Sequence, residues 1–236
     1  MAAKPRLLEV MRLGSRPYDE VWELQQDLLA RRVDDEIHDT LVLVEHDPIV
    51  TVGRGTQVEG APGVEIQVRE VERGGEATFH GPGQLVAYPI IKLPEGRRDI
   101  HRYLRDLEEV VIRVLAEVEV IGARRDGFTG VWIGERKVCS IGVAVRRWVT
   151  WHGLALNIHT DLESFQRFRP CGLDPGVMTR VSDHAEIPPA NLLFEVLTVK
   201  HFLDVFDLEL PPAPSPPRDG TAPGTGPFPD LPIFPG

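Results

Sequence analysis

Residues 131–158 read V-W-I-G-E-R-K-V-C-S-I-G-V-A-V-R-R-W-V-T-W-H-G-L-A-L-N-I, and their apolar pattern indicates the fold class. Three runs rich in β-branched and aromatic residues, 131–133, 137–145 and 148–158, are separated by short polar segments. This spacing predicts a three-stranded antiparallel meander. Because these strands connect directly rather than through helices, the pattern favours an α+β fold over a doubly wound α/β fold.

Alternation and helical spacing extend the prediction over the rest of the chain. Asp47-Pro48 lies between two short apolar runs, so we predict a hairpin there. Leu104, Leu107 and Val111 share one face of the strongest predicted helix. Strands are predicted at residues 7–13, 41–44, 49–52, 64–68 and 85–91, and helices at residues 17–33, 100–118 and 191–206.

Composition and net charge argue against a membrane protein and against a protein that binds nucleic acid non-specifically. The chain has 236 residues, of which 42% are hydrophobic, and no apolar run reaches the roughly 18 residues that span a bilayer. The N-terminus lacks the apolar segment of a signal peptide, so we expect a cytoplasmic location and no membrane. A net charge of −10 argues against non-specific binding to nucleic acid.

Proline and glycine dominate the chain from residue 211 onward. A segment of this composition buries too little apolar surface to form a core. We therefore predict one domain at residues 1–210, followed by a disordered tail at residues 211–236.

Residues 73–84 read R-G-G-E-A-T-F-H-G-P-G-Q, with four glycines in twelve residues. Glycine is entropically costly to order, so this density indicates that something approaches the backbone closely. Two further segments of small residues, 140–142 and 153–155, lie on adjacent strands of the predicted meander. Together the three segments predict a pocket for a slender, mostly apolar group, with Thr78 and His80 as its polar markers.

Two cysteines differ in their sequence context. Cys139 lies within an apolar strand, which is typical of a buried thiol, whereas Cys171 lies between Pro170 and Gly172. The irregular backbone at Cys171 suits either a nucleophile or a structural loop thiol.

A nucleophilic thiol at neutral pH needs a base or a positive neighbour. The candidates are His80, His152, His159, His184 and Lys137. The chain has four lysines against 22 arginines, so a lysine at an interior position can serve a purpose that arginine cannot, such as accepting a proton. Lys137 opens an apolar strand and is either such a group or a strand-end lysine.

Metal and phosphate sites are poorly supported by the sequence. No C-x-x-C or H-x-x-x-H pair is present, so we predict no metal. Gly81-Pro82-Gly83 lacks the P-loop pattern and precedes a strand rather than a helix, so we predict no nucleotide cofactor.

Four motifs occur in order between about residues 7 and 206: the glycine-rich stretch at 73–84, G-E-R-K-V-C-S-I-G at 134–142, W-H-G-L-A-L-N at 151–157 and R-P-C-G-L at 169–173. In this arrangement the chain resembles the octanoyltransferases of lipoate biosynthesis, the lipoyl(octanoyl) transferase family. Phe79 is a departure, because tyrosine is frequent there in the family. The resemblance implies the α+β catalytic domain shared by biotin and lipoate protein ligases.

The resemblance also implies an activity and its residues. The enzyme would transfer an octanoyl group from octanoyl-acyl carrier protein to a lysine of lipoyl domains, those of 2-oxoacid dehydrogenase complexes and the glycine cleavage H protein, without a cofactor. The catalytic pair maps onto Cys171 and Lys137. The acyl pocket maps onto Arg73, Gly74, Gly75, Glu76, Ala77, Thr78, Phe79, His80, Ser140, Ile141, Gly142, Gly153, Leu154 and Ala155.

Under this interpretation Gly74, Gly75, Gly81 and Gly83 form a tunnel wall narrow enough for an eight-carbon chain. Two alternatives stay open: an ATP-dependent lipoate or biotin ligase on the same fold, and a non-catalytic module that binds an acyl carrier. The first has no use for Cys171, and the second none for the pair of Cys171 and Lys137.

Overall fold

The computed structural model of the chain describes residues 5–54, 67–75, 77–167, 174–186 and 190–212. Within them two β-sheets and three α-helices form the fold. The strands are β1 (Leu8–Arg16), β2 (Asp39–His46), β3 (Ile49–Val52), β4 (Val68–Glu70), β5 (Ala77–His80), β6 (Gln84–Ile90), β7 (Ala123–Arg125), β8 (Phe128–Ile133), β9 (Arg136–Arg146) and β10 (Val149–Asn157). The helices are α1 (Tyr18–Val33), α2 (Ile100–Ala116) and α3 (Asn191–Phe206).

The larger sheet has seven strands in the order β1-β2-β6-β10-β9-β8-β7. Only β1 and β2 run parallel, and the other neighbouring strands are antiparallel. The predicted meander is confirmed as β8, β9 and β10, in which Gly153 pairs with Gly142 and Leu154 with Ile141. The mixed sheet with its flanking helices confirms the α+β prediction.

Helices cover both faces of the larger sheet. Leu107 of α2 and Phe194 of α3 belong to a core cluster with alternate residues of the sheet. Val21 and Leu28 of α1 belong to a second cluster on the opposite face. All three predicted helices are confirmed within two residues at each end, because their apolar spacing matches the faces that are buried. No helix among the described residues is long and apolar enough to cross a membrane.

The predicted hairpin at Asp47-Pro48 is wrong. Strand β2 lies in the larger sheet, whereas β3 lies in a three-stranded sheet of order β4-β3-β5. The chain changes sheets at Asp47-Pro48 because β3 is buried along its whole length and pairs with β4 and β5 instead.

Three shorter segments also differ from the sequence predictions. The predicted strand at 64–68 is described only from residue 67, and β4 begins at Val68. The glycine-rich stretch contains a strand, β5, and the edge strand β7 was not predicted. The predicted tail lies outside the described residues from residue 213 onward.

Gly83, which directly precedes β6, forms backbone hydrogen bonds with the residues that directly follow β10. Its φ is +78°, and a Cβ at this position would lie 2.8 Å from the carbonyl carbon of His159. The Gly83 carbonyl accepts hydrogen bonds from the backbone N–H groups of Ile158 and His159, at 3.1 and 2.9 Å. Close approach of two backbones, together with a positive φ, therefore requires glycine here.

We expect Gly83→Ala to destabilise the fold much more than Gly127→Ala. Gly127 has a similar φ of +80°, but a Cβ there would meet nothing within 4 Å. Both variants carry the strain of a positive φ, and only Gly83→Ala adds crowding, which typically costs about 1–3 kcal/mol. Urea unfolding of both variants measures the difference. Equal losses of unfolding free energy would show that crowding against His159 is unimportant.

Candidate functional site

A cleft lies between the two sheets on the α1 side of the larger sheet. It encloses about 450 Å³, including the part that is open to solvent. Strands from both sheets, the segment after β4 and the first residue of α1 form its walls. The residues that line it are Tyr18, Arg73, Gly75, Thr78, His80, Val86, Tyr88, Ser140, Ile141, Gly142, His152, Gly153, Leu154 and Ala155.

The three small-residue segments picked out in the sequence meet in this cleft. Segments 140–142 and 153–155 lie side by side on β9 and β10, and Thr78 and His80 project from β5. Ala77 and Phe79 do not line the cleft, because side chains alternate along a strand and these two face the small-sheet core. There the Phe79 ring packs edge to face against Phe165, with 5.5 Å between the ring centroids.

Other residues that were predicted to form the pocket either do not line the cleft or lie outside the described residues. Gly74 is next to the cleft but does not line it, and Glu76 lies outside the described residues. Gly81 and Gly83, predicted in the tunnel wall, do not line the cleft either. They serve packing instead, since a Cβ on Gly81 would lie 2.5 Å from the Phe79 ring.

The glycine-rich segment lies against backbone on two sides. The Gly74 N–H donates to the carbonyl of Val143 on β9 at 3.0 Å. A Cβ on Gly142 would lie 2.8 Å from the Gly74 carbonyl oxygen, and one on Gly53 would lie 1.8 Å from the Gly75 carbonyl oxygen. Neither glycine can therefore carry a side chain while the cleft wall stays in place.

Arg73 is the buried cation of the cleft. Its guanidinium donates to the carbonyl of Thr51 at 2.8 Å, to the Thr51 hydroxyl at 3.0 Å and to the Gly74 carbonyl at 3.2 Å. These bonds tie the glycine-rich segment to β3 of the small sheet. Arg73 is the first residue of the glycine-rich stretch, and its side chain thus stabilises the wall that the glycines of this stretch form.

Buried histidines lie around the cleft in their neutral form. Burial lowers the pKa of His80 to about 3 and that of His152 to about 3, and the Arg73 charge acts in the same direction on both. Burial likewise lowers the pKa of His46 to about 4. At neutral pH these rings are uncharged, so they offer hydrogen bonds rather than positive charge.

Thr78 and His152 present polar atoms that other described residues do not satisfy. The Thr78 hydroxyl and His152 Nε2 are buried and have no hydrogen-bond partner among the described residues. His152 also has a φ of +56°. A non-glycine residue in this conformation at a cleft wall is typical of a functional site.

Sequence reasoning missed the contributions of Tyr18, Val86 and Tyr88 to the cleft. No motif marks them, since they reach the cleft through the packing of α1 and β6. It considered His152 only as a possible base. The sequence does indicate that His152 lies at the cleft wall, because it directly precedes the small-residue segment 153–155.

Lys137 lies at the start of β9, three residues before the first cleft residue of that strand. Its side chain is buried, with a relative exposure of 4%, and its amine lies 5.8 Å from the centre of the Trp132 ring. Lys137 pairs with Met178, and its carbonyl accepts from the Thr179 N–H at 2.9 Å. Backbone pairing therefore holds residues 178 and 179 beside Lys137.

A chain of buried hydrogen bonds links the cleft to the same segment. His80 Nδ1 is 2.9 Å from the side-chain oxygen of Gln84, whose amide donates to Asn157 Oδ1 at 2.9 Å. The Asn157 amide donates in turn to the Thr179 carbonyl at 3.0 Å. Thr179 Oγ1 lies 2.8 Å from His184 Nε2, so two of the candidate bases belong to this network rather than standing alone.

Cys139 lies in the core, as its sequence context predicts. Cys139 is fully buried, and burial raises the pKa of its thiol to about 12, so it is a core residue and not a nucleophile. Cys171 lies outside the described residues. Within the described part of the chain, no group of three or more His, Cys, Asp or Glu side chains could hold a metal ion.

Comparison with a family model and comparison with known sequences indicate the same group of proteins. Residues 17–204 match the model of the lipoyl protein ligase A/B catalytic domain. The chain is 47% identical over 203 residues to an octanoyltransferase of Rubrobacter xylanophilus, covering 81% of this chain and 91% of the relative. It is 41% identical over 204 residues to an octanoyltransferase of Syntrophotalea carbinolica, covering 86% and 97%.

Solved structures share the fold at low sequence identity. A bi-partite lipoate protein ligase of Thermoplasma acidophilum superposes with a TM-score of 0.66 at 16% identity, covering 87% of this chain and 86% of that one. A biotin protein ligase of Aquifex aeolicus in complex with biotin gives a TM-score of 0.52 at 11% identity, covering 84% and 70%. The predicted likeness to the catalytic domains of both ligase types is therefore confirmed at the level of fold.

We expect His152→Asn to reduce the pH dependence of stability. Unfolding moves the pKa of His152 from about 3 to its ordinary 6.5, so between these values the unfolded chain binds a proton that the folded chain does not. The wild type therefore loses stability as pH falls below 6.5, by about 2 kcal/mol at pH 5 from this group.

Urea unfolding at pH 7 and pH 5 measures that contribution. His152→Asn should lower the slope by about one proton, because asparagine does not titrate and tolerates the positive φ. His101→Asn is the matched control, since His101 is exposed on α2. Identical slopes in the wild type and His152→Asn would contradict the neutral, buried state of this ring.

Proposed function

This chain belongs to the lipoyl protein ligase A/B catalytic domain family, and from that membership we propose a thioester mechanism of octanoyl transfer. It is an acyltransferase that transfers octanoyl groups in protein lipoylation. We propose that the donor is octanoyl-acyl carrier protein and the acceptor a lysine of lipoyl domains. These include the domains of 2-oxoacid dehydrogenase complexes and the glycine cleavage H protein. The reaction needs no cofactor and takes place in the cytoplasm, where thiols stay reduced.

One observation carries the proposal: a buried lysine opens the strand that goes on to form the wall of the cleft. Ser140 follows Lys137 by three residues, or roughly 10 Å at the usual rise of a strand. Burying six or seven methylenes of an octanoyl chain in the cleft would contribute on the order of 5 kcal/mol before the costs of binding. The reacting carbonyl would then lie at the Lys137 end of the chain.

The placement of the surrounding segments supports Cys171 as the nucleophile. Phe165 and Met178, which precede and follow Cys171 in the sequence, belong to the same small-sheet core cluster. Met178, which follows Cys171 by seven residues in the sequence, also pairs with Lys137.

In the first step the Cys171 thiolate attacks the thioester carbonyl of the donor. The carbon–sulfur bond to the carrier breaks, and the carrier leaves as a thiol with a proton from the Lys137 ammonium. One thioester replaces another, so the step is close to thermoneutral and ATP is not required. A positive neighbour favours the thiolate over the thiol.

In the second step the amine of the incoming lysine attacks the acyl-enzyme. An amide forms, the bond to Cys171 breaks, and the proton of the attacking amine passes to Lys137. Arginine could stabilise a thiolate but could not accept this proton, because it stays protonated. The requirement for a group that both attracts the thiolate and accepts a proton explains a lysine in an arginine-rich chain.

We expect Cys171→Ser and Lys137→Ala to abolish octanoyl transfer. Lys137→Arg should be nearly as inactive as Lys137→Ala. Cys139→Ala should keep most of the transfer activity. Wild-type protein incubated with octanoyl-acyl carrier protein, without ATP, should gain one octanoyl group in its intact mass. Cys171→Ser should gain none. A requirement for ATP would favour a ligase, and binding without acylation would favour a carrier-binding module.

We also expect Ala155→Val to shift the preference of the enzyme towards shorter acyl chains. Ala155 is buried, lines the cleft and belongs to the core cluster on the α1 side of the larger sheet. Two added methyl groups would occupy space that the acyl chain needs. Ala144→Val is the control, because Ala144 packs against the same cluster without lining the cleft.

Rates with octanoyl and hexanoyl thioesters measure this shift. We expect the octanoyl-to-hexanoyl ratio to fall roughly tenfold in Ala155→Val, as for the loss of one or two methylene contacts. It should stay unchanged in Ala144→Val. An unchanged ratio in folded Ala155→Val would mean that the acyl chain binds elsewhere.

A further inference from the structure

Gly130 on β8 makes the space in which the Lys137 side chain lies. Its φ is +127°, and a Cβ there would lie 2.7 Å from Lys137 Cε and 2.5 Å from the Cys139 carbonyl oxygen. Every other amino acid at this position would therefore collide with the end of the lysine stem. The absent side chain and the unusual backbone conformation together define a slot.

Glu108 of α2 holds the backbone of this slot. Its Oε1 accepts a hydrogen bond from the Gly130 N–H at 3.0 Å, and its side chain is only 1% exposed. Its Oε2 is shared by Arg105, at 2.7 Å, and Arg124, at 3.2 Å. Burying a carboxylate is costly unless it is paired. Arg105 and Arg124 offset that cost and leave Oε1 to the glycine.

Trp132 closes the slot two residues further along β8. The indole is 1% exposed, and its ring centre lies 5.8 Å from the Lys137 amine and 4.8 Å from the guanidinium carbon of Arg125. The face of an indole attracts a nearby cation. Trp132 is also the strand partner of Lys137, at the point where the register of β8 and β9 shifts.

From these contacts we propose that Glu108, Gly130 and Trp132 are positioning residues that hold the Lys137 amine in one orientation for proton transfer. The inference rests on the catalytic role of Lys137 proposed above. An unrestrained lysine side chain has substantial rotamer entropy. A side chain held in one orientation does not lose that freedom again in each transition state. Misplacement of a catalytic group by about 1 Å can lower a rate 100-fold.

The chain's four lysines allow a direct test. Lysine labelled with ¹³C at Cε should give four side-chain NMR signals, from Lys4, Lys92, Lys137 and Lys200. The signal lost in Lys137→Arg identifies Lys137. We expect the neighbouring Trp132 ring to displace this signal from the other three, and Trp132→Phe to reduce the displacement.

Two matched pairs of variants separate positioning from general stability. Glu108→Ala should shift or broaden the Lys137 signal, whereas Glu109→Ala should not, although Glu109 also pairs with Arg124, at 2.8 Å. Gly130→Ala should have the same effect as Glu108→Ala. Gly134→Ala should not, because Gly134 also has a positive φ, +56°, but a Cβ there would meet nothing within 4 Å.

Single-turnover acylation gives the functional measurement. We expect Glu108→Ala and Gly130→Ala to lower the acylation rate roughly 10- to 100-fold with the KM for the donor unchanged. Glu109→Ala and Gly134→Ala should keep the wild-type rate. If Glu108→Ala unfolds the protein, Gly130→Ala and Trp132→Phe carry the test.

An unchanged Lys137 signal in the folded variants would overturn the inference. A changed signal with a wild-type acylation rate would overturn it as well, since the orientation would then have no consequence. Failure of the mechanism itself looks different, because Lys137→Arg would then retain activity while the signal of Lys137 in the other variants still moved.

Discussion

The cleft exists because one short backbone segment contacts two sheets at once. Residues 73–75 are bonded to β9 through the Gly74 N–H and to β3 through the Arg73 guanidinium. A glycine lies at each contact: Gly142 on β9, and Gly53 directly after the end of β3. Close approach of backbones is possible only where side chains are absent, so the separation of the sheets depends on these glycines.

Charge around the cleft is controlled by burial. The histidines nearest the cleft stay neutral, and the Cys139 thiol stays protonated, because a low-dielectric interior disfavours their charged forms. The Arg73 guanidinium donates hydrogen bonds to backbone and hydroxyl groups. The cleft thus contains few titrating groups, and the proposed proton transfer takes place at the Lys137 end of β9.

The same fold serves enzymes that use different chemistry. Lipoate and biotin protein ligases superpose on this chain at 16% and 11% identity, which speaks for a common architecture and not for a common reaction. What would separate this chain from a ligase is a thiol that takes over the acyl group. Cys171 is therefore the residue on which the proposed reaction depends.

Local pattern was enough to predict the three helices, the meander and the segments that form the cleft. Helix faces repeat every 3–4 residues and strands alternate, so residues 100–118 and 131–158 indicate their own structure. The four ordered motifs also indicate the family without reference to tertiary structure. Pattern failed at Asp47-Pro48, because the choice between hairpin and change of sheet depends on partners, β4 and β5, that are distant in the chain.

What surrounds Lys137 could be decided only by tertiary structure. Glu108, Gly130 and Trp132 belong to no motif, and α2 comes near β8 because α2 packs on one face of the larger sheet, to which β8 belongs. The inward direction of Phe79, the packing roles of Gly81 and Gly83, and the place of Tyr18 in the cleft follow from the same cause. The amino-acid sequence by itself determined which segments are strands, helices and small-residue walls, because those depend on neighbours in the chain. Tertiary structure decided which side chains meet, because contacts between distant segments depend on how whole elements pack.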